Sequence, residues 1–195
     1  MSDSKEKLIQ FFRGTNLVSS EKAEEFAEHF HLKLFAKNDF FLREGRISDE
    51  YLFLESGCMR SYAFDTEGND ITTNFSTGNQ VVFEISSFFN RTASKENIQA
   101  LTEGKGWYIT YNELNNLFHA TPEFREFGRH ILVRGFSTLK IRMLSMITET
   151  AEQRYANLLH AHPEIFIYAP LKNIATFLGI TDTSLSRIRK DFSKK

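Results

Sequence analysis

Cysteine is almost absent from this chain, since Cys58 is the only one among 195 residues. A single thiol excludes an intramolecular disulfide, a cysteine-rich zinc site and an iron–sulfur cluster held by four thiolates of one chain. Proline is also scarce, and no Pro-rich linker or low-complexity tract divides the sequence. No apolar run approaches the ~18 residues that a membrane span requires, and the first residues do not resemble an export signal. We therefore expect a cytoplasmic protein with no membrane partner.

A net positive charge is also missing from most of the chain, although the overall net charge is only -1. Residues 1–129 hold 14 Lys+Arg against 20 Asp+Glu, whereas residues 130–195 hold 10 against 5. The net excess of basic charge is thus confined to the last third. Such asymmetry indicates a neutral or acidic part joined to a part that meets a polyanion.

The middle of the chain, residues 31–111, is typical of β-structure. It contains eight short runs rich in Phe, Tyr, Val, Ile and Thr, separated by turn formers that include Gly45, Gly57 and Gly68. Short strands at this spacing predict a sandwich, jelly roll or small barrel, with many of the 20 Phe residues and Trp107 in its core. Before it, apolar residues at helical spacing predict two short amphipathic helices in residues 4–30.

A long helix is predicted from Glu123 to about Ile147, directly after Pro122. Five apolar residues in it follow the 4, 3, 4, 3 spacing of a coiled coil, and they are Leu132, Phe136, Leu139, Met143 and Met146. Such a seam predicts a parallel homodimer in which each side chain fills a hole in the partner helix. The alternative is a helix that packs on its own barrel, because the seam covers barely two heptads.

The carboxyl-terminal residues predict a helix-turn-helix. A capping box at Thr150 opens one helix, which stops before Pro163, and two more helices lie at residues 171–178 and 183–192, with the turn at Gly179. Short polar side chains and guanidinium groups on the last helix suit base edges and phosphates in the major groove. The predicted DNA-contacting residues are Thr181, Asp182, Thr183, Ser184, Ser186, Arg187, Arg189 and Lys190, with further phosphate attraction from Lys194 and Lys195. The alternative is an ordinary amphipathic helical hairpin with a solvated basic end.

Three segments resemble the Crp/Fnr family of bacterial transcription regulators: LGITDTSLSRIRK, AEQRYANLL and EISSFFNRTASKENIQAL. The resemblance implies an α+β fold with three parts. These are a cyclic-nucleotide-binding-like double-stranded β-helix (jelly-roll) sensor in residues 1–122, a dimerisation helix in residues 123–147, and a small all-α helix-turn-helix (winged-helix-like) domain in residues 148–195. The implied partners are double-stranded DNA, a second copy of the chain and, as a further possibility, RNA polymerase.

Two departures from the family concern DNA contact. Ser186 and Arg187 match the Ser-Arg pair of the family's recognition helix, but Thr183 stands where many members carry Glu. The operator therefore need not follow the familiar half-sites. Because the sequence ends soon after this helix, we expect the family's usual wing hairpin to be missing.

The resemblance also implies an effector loop, with Glu84 at the position of the family's ribose-binding Glu. The effector-binding residues it assigns are Glu84, Ile85, Ser86, Ser87, Ser94 and Lys95. Ser94 or Lys95 falls where the family has its phosphate-binding Arg, and neither side chain replaces a bidentate guanidinium. Arg91 is a second candidate cation. Cyclic AMP is thereby disfavoured.

Three other interpretations of this loop stay open. The loop takes a different small effector, Phe88 and Phe89 close the pocket, or Glu84 is only a strand-end carboxylate satisfied by backbone amides. No other cofactor is expected.

Enzymatic chemistry is not indicated, because no nucleophile-base pair, phosphate-binding Gly-rich loop or paired-carboxylate motif stands out. His29 and His31 alternate as metal ligands on a strand could, yet no Glu follows at the distance that a cupin-like site requires. We therefore predict no metal, and we expect Cys58 to be a half-buried, unreactive thiol. Two rival functions remain: a ligand-binding module that acts through a protein partner, and a cupin-like metalloenzyme.

Overall fold

The structure is a computed structural model that describes residues 4–192 of the chain. Its centre is a roll of eight antiparallel strands in two four-stranded sheets, ordered β1-β8-β3-β6 and β2-β7-β4-β5. The strands are β1 His31–Phe35, β2 Phe40–Leu42, β3 Glu50–Ser56, β4 Cys58–Phe64, β5 Asp70–Thr77, β6 Gln80–Val82, β7 Asn97–Ala100 and β8 Gly104–Thr110. Each corresponds to one of the eight runs in the sequence, so the predicted antiparallel roll is confirmed.

Helices cover the outside of the first sheet, and they are α1 Glu6–Arg13, α2 Ser20–Glu28, α3 Ile85–Asn90 and α4 Tyr111–Ala120. Ser19 caps α2 by accepting a hydrogen bond from the Lys22 amide, and Thr110 and Glu113 form a capping box at α4. The two predicted amino-terminal helices are present. The six-residue helix α3 lies inside the predicted effector loop.

The central strands of the first sheet are buried on both faces. Leu52 and Leu54 of β3 face the inside of the roll, whereas Tyr51 and Phe53 face the helices, because successive side chains of a strand point to opposite sides.

The prediction that many Phe residues and Trp107 fill the core of the roll is partly wrong. Most of the fully buried Phe side chains come from helices or from the sheet face they cover, and Trp107 is in that same outer cluster rather than inside the roll. The buried Trp107 Nε1–H donates to Glu55 Oε2 over 2.7 Å.

The long helix α5 runs from Pro122 to Thr148, one residue longer at each end than predicted. Phe124, Phe127 and Gly128 at its start are buried, and most of the residues after them are exposed. Within residues 4–192, none of the helices has both the length and the apolar character needed to cross a lipid bilayer.

The carboxyl-terminal unit consists of α6 Ala151–Ala161, α7 Ile165–Tyr168, α8 Leu171–Leu178 and α9 Asp182–Phe192. The structure has helices but no strand in residues 149–192. The capping box at Thr150 is formed with Gln153, as predicted, and the four-residue α7 is an addition to the prediction. This unit has a core of its own, which Phe75 of β5 joins.

Candidate nucleic-acid interface and effector loop

The pair α8–α9 is joined at Gly179, whose φ of +67° lies in the left-handed region that glycine tolerates. The amide of Ile180 donates to the Ala175 carbonyl over 3.0 Å and closes the end of α8. Apolar side chains from both helices are buried in the angle between them, and they are Ile174, Ala175, Leu178, Leu185 and Ile188. The two helices are therefore held together by one shared apolar core.

The outer face of α9 carries the predicted DNA-contacting side chains. Seven of the eight are exposed and Ser184 is half-buried. Thr181 caps the helix: its Oγ1 accepts from the Ser184 amide over 3.3 Å, and the two hydroxyl oxygens lie 3.0 Å apart. The Thr181 and Ser184 hydroxyl groups are therefore hydrogen-bonded to each other in the chain without DNA. Lys194 and Lys195 lie outside the described residues.

Arg187 lies near an acidic side chain that the sequence analysis did not connect with it. Glu152 of α6 has a pKa below its ordinary value. Hydrogen bonds at the start of α6 are the main cause, and the charge of Arg187 contributes. A base that binds Arg187 would therefore approach next to a carboxylate.

Arg154 is a structural residue of this unit that was missed. Its Nε donates to the Leu178 carbonyl over 3.1 Å and its Nη1 to the Glu149 carbonyl over 2.6 Å. It thus connects α6 with the ends of α5 and α8. The only signal in the sequence is its place in the segment AEQRYANLL.

The predicted dimer seam is exposed on the single chain. Leu132, Phe136, Leu139, Met143 and Met146 have 36%, 70%, 65%, 54% and 40% of their surface exposed. The alternative was that the seam packs on the chain's own roll. The high exposure of Phe136 and Leu139 gives that alternative no support. Met146 differs, because its methyl group lies against Gly179.

The exposed apolar surface of α5 is also wider than the seam. Four further apolar residues of the helix are exposed, and they are Val133, Ile141, Leu144 and Ile147.

The effector loop satisfies its own amides. Glu84 precedes α3, and its carboxylate accepts from the Ser86 amide over 3.1 Å and from the Ser87 amide over 2.6 Å. These are donors that a helix start would otherwise offer to an anion. The observation favours the interpretation of Glu84 as a strand-end carboxylate satisfied by backbone amides.

Two of the serines assigned to the effector are structural. The Ser87 hydroxyl is buried, donates to the Thr92 carbonyl over 2.5 Å and accepts from the Ser48 amide over 2.8 Å. The buried Ser94 hydroxyl bonds to the backbone of Glu96 in both directions. Ile85, Ser86 and Lys95, in contrast, are exposed.

The second candidate cation, Arg91, is also engaged within the protein. It donates to the Ser48 carbonyl over 3.0 Å, pairs with Asp49 over 2.5 Å and stacks on the Tyr111 ring at 4.1 Å. Phe88 is fully buried, whereas Phe89 is 37% exposed. Phe88 belongs to the outer cluster on the first sheet, and its ring contacts those of Phe89 and Tyr111.

The residues considered for metal or thiol chemistry have other surroundings than expected. Cys58 is buried rather than half-buried, and burial raises the pKa of its thiol to about 12, with a contribution from Glu164. His31 Nε2 lies 2.9 Å from Glu113 Oε1. Among the described residues, no three His, Cys, Asp or Glu side chains form a group that could hold a metal ion.

Comparison with known proteins agrees with this architecture. Residues 32–121 match the family of the cyclic nucleotide-binding domain. CLP, the c-di-GMP responsive global regulator of Xanthomonas campestris, has a similar structure, with a TM-score of 0.69 and 16% identity over 90% of this chain and 92% of that one. For FixK2 from Bradyrhizobium japonicum the TM-score is 0.73, with 15% identity and 85% of each chain covered.

A third structure, described as a transcriptional regulator of the Crp/Fnr family from Eubacterium rectale, has a TM-score of 0.70 and 15% identity over 94% of this chain and 88% of that one. Among curated protein sequences, none matches this chain significantly.

These features define a class of protein in which a cyclic nucleotide-binding domain is followed by a long helix and a helical carboxyl-terminal unit. The chain shares the fold of a structure described as a Crp/Fnr-family regulator, in agreement with the resemblance seen in the sequence.

Proposed function

We propose that this protein is a homodimeric transcription regulator that binds a palindromic DNA operator through α9. The observation that carries the proposal is the division of α9 into two faces. Leu185 and Ile188 are buried against α8, and the polar and basic side chains on the other side are exposed. A helix held in this way can enter the major groove with its side chains directed at bases and phosphates.

Base and phosphate contacts are assigned to different residues of α9. Arg187 projects from the middle of the helix and can donate two parallel hydrogen bonds to guanine. Arg189 and Lys190 lie nearer its end and contribute attraction that does not depend on sequence.

The dimer follows from the exposed seam of α5. Two recognition helices must lie about 34 Å apart to enter successive major grooves. A pair of α5 helices joined along Leu132, Phe136, Leu139 and Met143 would fix that separation and remove apolar surface from water. RNA polymerase is the partner through which such a regulator would act.

The effector loop supports a negative proposal. Binding of cyclic AMP would require a phosphate to compete with the Glu84 carboxylate for the Ser86 and Ser87 amides, without a matching Arg at Ser94. We therefore expect no saturable heat when cyclic AMP is titrated into the protein in a calorimeter. A saturable signal of one nucleotide per chain would contradict this part of the proposal, and a different small effector remains compatible with it.

DNA recognition is tested first by selection of bound fragments from random duplexes, which should return a palindromic motif. On that motif, Arg187→Ala should cost about 1–3 kcal/mol and relax the preference at one base position, whereas Lys190→Ala should weaken all sequences alike and flatten the salt slope by about one unit. Both effects are measured by fluorescence anisotropy over a range of salt concentrations. Lys37→Ala, which removes an exposed cation from the roll, serves as the matched control and should change neither quantity.

Two results would contradict this assignment. Equal loss on all sequences for Arg187→Ala would remove its role as a base reader. A selection that returns no motif would favour the rival function, a ligand-binding module that acts through a protein partner.

Dimerisation is tested with Phe136→Glu, which places a charge in the middle of the seam. Analytical ultracentrifugation should find the variant as a monomer, and its affinity for the full operator should fall to that for a half-site. Ser137→Glu adds the same charge away from the seam and should stay dimeric. A dimeric Phe136→Glu variant would place the interface elsewhere.

A further inference from the structure

The edge of the second sheet is occupied by α8. β5 is the outermost strand in the order β2-β7-β4-β5, so one of its sides has no strand neighbour in that sheet. The Thr72 amide, which would otherwise be an open edge donor, donates to Thr176 Oγ1 of α8 over 3.2 Å. The hydroxyl oxygens of Thr72 and Thr176 lie 3.0 Å apart. The first helix of the α8–α9 pair thus takes the place of a missing strand.

A buried arginine orders the strand side of this contact. Arg60 of β4 donates from Nε to Thr72 Oγ1 and from Nη1 to Asp70 Oδ2, each over 2.7 Å. The other Asp70 oxygen lies 3.2 Å from Lys172 Nζ of α8. Burial alone would raise the pKa of Asp70, but Arg60 and Lys172 outweigh it and hold the pKa below its ordinary value. Both partners of α8 on this strand, Thr72 and Asp70, are therefore held in place by Arg60 of the neighbouring strand.

Arg142 connects the long helix to the same contact. Its guanidinium donates to the Thr73 carbonyl of β5 and, over 3.1 Å, to the Phe177 carbonyl of α8. The guanidinium also stacks on the Phe177 ring at 3.8 Å, and that ring packs against Phe75 at 5.2 Å. A planar group that donates in two directions while one face stacks is a geometry that lysine cannot reproduce. Three elements, α5, β5 and α8, meet at this one side chain.

We propose that Arg142 and Thr176 are positioning residues for DNA recognition, because they fix the orientation of α8, and with it α9, relative to the dimerisation helix α5. The inference rests on the proposed function. Neither residue belongs to the exposed face of α9, so their effect on DNA passes through geometry alone. If two α5 helices form the dimer axis, the angle between α5 and α8 determines the separation of the two recognition helices. When the contact is loosened, that separation varies, and the protein should discriminate less between operators with different half-site spacings.

The first test uses operators whose half-sites are moved apart or together by one base pair. The unmodified protein should bind one spacer length most tightly. Arg142→Ala and Thr176→Val should lose about tenfold in affinity on that operator, discriminate less between spacer lengths, and bind an isolated half-site as before. Thr176→Ser keeps the hydroxyl and should retain the spacer preference, and Arg134→Ala, an exposed arginine of the same helix, is the matched control.

A second readout does not require DNA. Nitroxide labels on Lys37→Cys and Ser186→Cys, diluted with unlabelled protein so that only distances within one chain are recorded, report the separation of roll and α9 by electron spin resonance. The distribution should be narrow in the background protein and broad in Arg142→Ala and Thr176→Val.

The outcomes separate the two levels of the proposal. An unchanged distance distribution in folded variants, or an equal loss of affinity on the half-site and the full operator, would overturn the positioning role. Failure to select any duplex sequence would overturn the proposed function, whereas the label distances would still decide whether Arg142 and Thr176 hold α8 on β5.

Discussion

The effector loop and the outer face of α9 are built from similar side chains, yet they use them in opposite ways. In the loop, Glu84, Ser87 and Ser94 all bond to backbone groups of the same chain. On α9, Ser186 and Arg187 are exposed. Polar groups that are satisfied internally stabilise a fold, and exposed ones remain available to a partner. The bonded side chains of the loop therefore stabilise the roll, and of these two regions α9 is the one whose named side chains are accessible to a partner.

The same substitution in the two regions gives the sharpest contrast. Ser87→Ala leaves the Ser48 amide and the Thr92 carbonyl without their partner in a buried place, which should cost about 1–3 kcal/mol of the free energy of unfolding and leave DNA affinity unchanged. Ser186→Ala on α9 should change stability by less than about 0.5 kcal/mol and weaken operator binding. Urea denaturation and anisotropy measure the two quantities, and the comparison fails if both variants lose stability equally.

Glu84→Ala tests whether the carboxylate in the loop acts as a helix cap. Removing it frees the Ser86 and Ser87 amides, and a lost cap costs about 0.5–2 kcal/mol of stability. Glu84→Gln keeps one oxygen acceptor and should lose less. If Glu84→Ala and the unmodified protein were equally stable in urea denaturation, the Glu84 carboxylate would not stabilise the loop.

The smallest expected effect is a pH dependence at Glu113. Burial would raise the pKa of this carboxyl group, but hydrogen bonds from Thr110 and His31 outweigh it and lower the pKa to about 2. Its contribution to stability is therefore complete above pH 4.5 and is lost as the pH falls towards 2. Because the side chain is more than a third exposed, solvent screens the pair and the effect should be modest.

The free energy of unfolding, measured by urea denaturation between pH 4.5 and 2, should fall less steeply for Glu113→Gln. Identical slopes would show that the His31–Glu113 pair does not contribute.

Local patterns predicted the elements, but not the contacts between distant parts of the chain. Strand runs, the helix from Pro122 and the capping box at Thr150 are encoded within a few residues, and all of them are present. The short helices α3 and α7 escaped notice because six and four residues are too few for a helical period to be visible.

The faces of the sheet and the partners of Arg142 depend on tertiary structure. Phe and Trp composition cannot tell the inside of a roll from an outer face covered by helices, so Trp107 was placed on the wrong side of its sheet. Arg142 lies 69 residues from its acceptor Thr73, and no local pattern links the two. The exposure of the predicted DNA-contacting residues could be predicted because their helix is amphipathic, whereas their contact with DNA stays a prediction.

The burial of Cys58 has a consequence for the signals that this protein can receive. The thiolate is the form that reacts with peroxides and disulfides, and a thiol whose pKa is about 12 supplies almost none of it at neutral pH. Since the chain has no other cysteine, we expect the folded protein to respond poorly to oxidants that act on thiols.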